Sequence, residues 1–230
     1  MIEMTTIFGI PDATVHAMVV ELHTGMAAFA FVALVVMVIA DLIFRGKAPG
    51  EQWKAIRVDA DALKAIRVDA DAVAYLGSLG AVFFLILSGI TGFLILPYSD
   101  LSTTPIYLNK SIFALFALFF WAAFSFVRFW FGPGLWKKRG LYVVSFVAAL
   151  LGMLFTGLAG SLGGEISPYG ESVLTPLYNY LGISWQAITL TQDDVYLTLA
   201  AMVVILVVVA AVSIRIGKAT PLPRSSSAAR

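Results

Sequence analysis

Cysteine is absent from this chain. That excludes disulfides, thiolate metal centres, iron–sulfur clusters and covalent haem attachment. Charge is scarce as well: 13% of the 230 residues are charged, against about 25% in a soluble domain. Histidine occurs only twice, at His16 and His23. There is no H-E-x-x-H motif and no nucleophile–base pair, so nothing supports a hydrolase. The net charge of +1 gives no case for nucleic-acid binding.

What the chain has in abundance is apolar surface, at 60% hydrophobic residues and a mean hydropathy of +0.91. A bilayer core about 30 Å thick takes about 20 apolar helical residues to cross, because unpaired backbone groups are not tolerated in lipid. Five runs meet that length, at about 17–44, 72–96, 106–131, 141–162 and 195–216. The expected fold is therefore an all-α, polytopic transmembrane bundle. Residues 1–220 form one domain, and 221–230 a flexible tail. The opening residues carry Glu3 and no basic residue ahead of the first apolar run, so no cleaved signal peptide is expected.

Lysine and arginine favour the cytoplasmic side. In a five-span chain, fourteen of the fifteen basic residues fall on one side, and Lys110 alone on the other. The amino terminus is therefore expected outside and the carboxyl terminus inside, with a cytoplasmic loop at 45–71 and an outer loop at 163–194.

Within that cytoplasmic loop, "KAIRVDADAL" at 54–63 is followed by "KAIRVDADAV" at 64–73. Alanine, lysine and arginine favour a helical extension of the second span over a strand. Ten residues advance about 2.8 turns, so the apolar residues of the two copies face directions about 80° apart and build no common stripe. An insertion into a tolerant loop is the reading adopted, with an assembly error or a docking helix for a cytoplasmic subunit as alternatives. Trp53 suits the inner headgroup level.

The second and fourth spans are rich in small residues, including Ser88-x-x-x-Gly92 and Thr156-x-x-x-Gly160, and such spacings let helix backbones approach closely in lipid. These two helices are expected to pack tightly, with each other or with a partner. The third span, crowded with phenylalanine, is expected to face lipid or a partner.

His16 and His23 lie seven residues apart, on nearly one face and about 10.5 Å apart along the axis. They cannot grip one haem between them. A haem b ligated by His23 and Met202, a second copy of the chain, or a histidine from another subunit would each complete such a site. Interfacial histidines bonded to neighbours or water are the plainer alternative. Glu21 points away from both histidines, and Asp41 can reach the inner interface. The outer loop carries Tyr169, Tyr178, Tyr180 and Trp185, which favour the headgroup region and could wall a quinone or haem pocket.

At "TGLAGSLGGEISPYG", Thr156 to Gly170, the chain resembles a widespread family of uncharacterised four-helix membrane proteins of bacteria and archaea. His16 and His23, Gly89 with Gly92, and Gly163-Gly164-Glu165 occupy comparable places, over roughly residues 12–170, with the fifth span an addition. The resemblance implies a membrane fold, in some members like a cytochrome-b-type module, and a prokaryotic plasma membrane. Three functions follow in order of expectation. The first is an accessory or anchor subunit of a larger membrane complex, most plausibly respiratory, alongside other subunits and lipid. The second is a haem b- or quinone-binding electron-transfer protein using His16, His23 and Met202. The third is a small-solute transporter.

Overall fold

In the computed structural model, residues 6–7, 10–44, 60–95 and 104–166 are described, together with isolated residues at 176, 180, 207 and 211 and helical backbone at 193–194 and 196–204. Apart from a two-residue antiparallel pairing of β1 (Thr6–Ile7) with β2 (Ile10–Pro11), the regular structure is helical. Four long helices follow in order: α1 (Asp12–Phe44), α2 (Ala60–Ile95), α3 (Pro105–Phe131) and α4 (Arg139–Ile166). Each is long and apolar enough to cross a membrane.

Much of the expected fifth span at 195–216, the tail at 221–230 and most of the outer loop lie outside the described residues, as do residues 54–59 of the first decamer. Helix α2 begins at Ala60 and so includes the whole second decamer, as the helical-extension reading requires. Its 36 residues make a rod about 54 Å long, well beyond the hydrocarbon thickness. The charged first turns can therefore stand outside the apolar core. Helix α4 continues to Ile166, so Gly163 and Gly164 belong to the helix and not to the outer loop.

Local sequence sets the connection from α3 to α4. Pro105 opens α3, where its missing N–H costs nothing. Gly132 ends it with φ +56°, a conformation that L side chains rarely adopt. Its N–H donates to the Arg128 carbonyl, and Pro133 prevents the helix from continuing. A 3-10 turn, Gly132–Lys137, then leads to Lys138, whose carbonyl accepts the Tyr142 N–H at 2.9 Å as α4 starts.

The helices form an antiparallel ring in which α1 packs on α2, α2 on α3, α3 on α4, and α4 on α1. The small residues explain the two tightest seams. A Cβ at Gly77 would lie 3.0 Å from the Ala30 Cβ on α1, and one at Gly80 would lie 2.6 Å from the Met26 methyl. On the other side, Gly152 of α4 admits the Trp121 indole of α3, which a Cβ would meet at 3.1 Å. The glycine-rich second and fourth spans thus do not pack chiefly on each other; each receives the bulky side chains of its own neighbour in sequence.

The phenylalanines of α3 also depart from expectation. Phe113, Phe116 and Phe120 gather around Phe155 of α4 with ring centroids 5.9, 4.9 and 5.8 Å away, and Phe124 is buried beside Trp121. Only the far end, with Phe126, Phe129 and Trp130, is left facing outward. Much of the aromatic surface is an internal seam, because stacked rings supply the dispersion contacts on which helix association in lipid depends.

Buried polar groups join the same seams. The Trp121 indole N–H donates to Thr156 Oγ1 at 3.2 Å, and that hydroxyl donates to the Gly152 carbonyl at 2.7 Å. Ser125 donates to Ser78 at 2.8 Å, tying α3 to α2. At the end holding the α3–α4 turn, Asp71 receives a two-pronged contact from Arg128 at 2.8 and 2.5 Å and an indole N–H from Trp136 at 2.7 Å. Arg128 also lies over the Tyr75 ring. Nearby, Asp41 of α1 pairs with Arg67 of α2 at 3.5 Å. Both acids pair with bases on other helices, so Asp41 is a structural group here.

The side chains of Asp71 and Arg128 are 7% and 11% exposed, so removing one charge strands the other. Asp71→Asn is expected to destabilise the bundle by about 3 kcal/mol or more, read as a lower unfolding temperature in detergent. Deletion of residues 54–63 is expected to leave the fold intact, because the second decamer supplies Arg67 and Asp71. The deletion shortens the connection and moves the start of α2 into the second decamer, and a shorter connection changes stability by less than about 1 kcal/mol; a deletion variant that fails to insert would contradict this assignment.

Candidate functional site

The antiparallel ring brings four distant parts of the sequence to the end opposite the Asp71 network: the start of α1, the last turns of α2, the first turns of α3 and the last turns of α4. His16 of α1 reaches Thr91 of α2, with its Nδ1 2.8 Å from the Thr91 hydroxyl. Gly92 makes this possible, since a Cβ there would come within 3.3 Å of the imidazole Cε1.

The Thr91 hydroxyl has one proton. It donates along its own helix to the Leu87 carbonyl at 2.9 Å, the habitual partner of a helical threonine. The other tautomer reverses these roles; with the hydroxyl proton on the Leu87 carbonyl, the hydroxyl accepts from His16 and the imidazole proton sits on Nδ1. A neutral ring so held keeps a lone pair on Nε2.

His16 borders a pocket of about 370 Å³ between α2 and α3, near the lower end of the range for small-molecule sites. Four of its polar side chains, His16, Tyr107, Lys110 and Ser111, lie toward the bundle end beside Ile90 and Phe93, while Ser88 lies deeper on α2. Ser111 donates to the Tyr107 carbonyl at 2.8 Å and leaves its lone pairs available. Deeper along the same helices the walls are Leu85, Leu115 and Leu118. Lys110 is close enough to both histidines for electrostatic interaction, and its Nζ would sit 3.4 Å from a Cβ at Gly163 of α4.

The two histidines have different surroundings. His23 is 4% exposed, and neither ring nitrogen has a hydrogen-bond partner among the described residues. The Val19 carbonyl, one turn back on α1, acts on the ring electrostatically without meeting hydrogen-bond geometry. His23 does not line the pocket, and neither does Met202, which is buried in the helical backbone at 196–204. Among the described residues the pocket offers no second histidine or methionine across from His16, and no group of three potential metal ligands occurs. The pocket is therefore not built on the His23–Met202 pair expected from sequence. Of the outer-loop aromatics, Tyr180 is exposed and the others lie outside the described residues.

Sequence reasoning missed Thr91, Tyr107 and Lys110 as site residues. Lys110 had a signal, being the single basic residue at its end of the bundle among the described residues and lying within an apolar run, where ionisable groups commonly mark function. Thr91 had none, since its role depends on the register of α1 against α2. Compared with protein-family models, curated proteins and solved structures, the chain matches none.

Replacing Thr91 by valine keeps the shape and removes the hydroxyl. Imidazole nitrogen NMR should show the Nδ1–H tautomer of His16 in the native protein and a shift toward Nε2–H in Thr91→Val; an Nε2–H tautomer in the native protein would reverse the assignment.

Proposed function

We propose that this chain is an integral membrane ligand-binding protein. Its α2–α3 pocket takes up, from the bilayer, a molecule with a compact oxygen-bearing head and an apolar body. The observation that carries this reading is the polarity gradient along the pocket. The one cationic side chain and most of the hydrogen-bonding ones are at the bundle end, and the depth is lined by leucines with Ser88 between. The same gradient exists in one leaflet of a membrane, so an amphiphile can enter without turning over.

Within the pocket, Nε2 of His16 accepts a hydrogen bond and Lys110 donates one, while Tyr107 can do either. A quinone head, the second expectation from sequence, offers carbonyl oxygens to Lys110 and Tyr107, and its quinol form adds an O–H for His16 Nε2. Binding alone is proposed. A binding role is also compatible with membership in a larger membrane complex, and a blue-native gel of gently solubilised membranes would show whether the chain migrates with partners.

Gly89 lines the pocket, and a Cβ there meets nothing within 4 Å, so a larger side chain fills the space without disturbing the seams. The native protein is expected to gain thermal stability with a short-chain quinone or a fatty acid in non-ionic detergent. Gly89→Leu should fold normally and lose that gain. Equal gains in both proteins would place the ligand elsewhere and overturn the reading.

A further inference from the structure

Among the described side chains, which do not include that of Glu165, the ionic inventory of the bundle is lopsided. At one end Asp41 pairs with Arg67 and Asp71 with Arg128. At the other, Lys110 lines the pocket with no carboxylate paired to it among the described residues. Glu21, the acidic residue of α1 nearest in sequence to the histidines, is exposed.

An ammonium among apolar helices is costly unless something neutralises it. Lipid-facing lysines often meet this cost by extending to the headgroup region. Lys110 instead lies along Gly163 of α4 and borders the pocket, where its charge is directed at whatever occupies that space. Beside it, the Thr91 contact leaves the Nε2 of His16 as an acceptor, suited to the one O–H that a singly ionised phosphate monoester keeps; a carboxylate, which has none, is held by Lys110 alone. The deeper walls, Leu85, Leu115 and Leu118, match a hydrocarbon chain.

We propose that the pocket binds an anionic amphiphile, an oxygen acid such as a carboxylate or phosphate monoester carried on an apolar chain, with its head at Lys110. This rests on the ligand-site reading above and adds the sign of the ligand's charge. The head supplies the counter-charge that the protein's described side chains do not. The deeper leucines hold the chain.

The test uses the full-length protein in phosphatidylcholine nanodiscs, titrated separately with oleate, its uncharged methyl ester, phosphatidic acid, inorganic phosphate and a neutral quinone. Oleate or phosphatidic acid is expected to bind about thirty-fold or more tightly than methyl oleate, the scale set by a desolvated charge contact. In Lys110→Met that preference should vanish. The ligand-free variant should unfold at the same temperature as the native protein or higher, because an uncompensated charge has been removed.

Three results would overturn the proposal: methyl oleate binding as tightly as oleate, inorganic phosphate binding as tightly as phosphatidic acid, or a ligand-free Lys110→Met that unfolds at a lower temperature. The last would show that the ammonium already has a counter-charge within the protein. Quinone binding that survives Lys110→Met but is lost in Gly89→Leu, with no acid bound, would overturn the charge assignment and leave the pocket reading standing. Failure of every probe to distinguish Gly89→Leu from the native protein would remove both.

Discussion

Water is missing from the interior of a bilayer, and the arrangement of this chain follows from that absence. Backbone groups must pair within their own helix, so α1 to α4 run long and unbroken across their apolar stretches. Once they do, apolar surface no longer drives them together, because lipid is as apolar as leucine. Association rests instead on close fit. The close approach of Gly77 to Ala30 and the seating of Met26 on Gly80 and Trp121 on Gly152 provide that fit, and the phenylalanines around Phe155 extend it.

The same absence governs the polar side chains, which find partners or remain a liability. At the end near the α3–α4 turn the liabilities are settled, since Asp71 receives Arg128 and Trp136 together. This end fastens α2, α3 and the turn. The opposite end is left open. His16 is oriented by Thr91, His23 is buried without a partner among the described residues, and Lys110 faces a pocket. A bundle whose one end is closed by ion pairs can hold a loosely packed pocket at the other without losing its register.

Hydropathy reads the four crossings well because length and apolarity are themselves the physical requirement. It reads packing partners badly. Ser88-x-x-x-Gly92 and Thr156-x-x-x-Gly160 announce close approach but not the neighbour; Gly92 admits His16 from α1, and Thr156 engages Trp121 from α3. The phenylalanine-rich third span was read outward because apolar periodicity in a membrane does not distinguish lipid from a protein interior. The site was half legible. His16 stood out by rarity, and the isolation of Lys110 was visible in the charge pattern, but their meeting depends on three helices arriving in one register.

The duplicated decamer shows how narrow that register is. Arg67 and Asp71 make cross-helix pairs with Asp41 and Arg128, and the equivalent positions in the first copy are Arg57 and Asp61. On a continuous helix, Asp61 lies about 15 Å further along the axis and about 80° around it from Asp71. To substitute for Asp71 it would have to draw α2 by that distance through the membrane and separate Gly77 and Gly80 from the side chains they accommodate. The first copy therefore repeats the chemistry of the lock without access to its geometry, and the seam with α1 decides which copy is used.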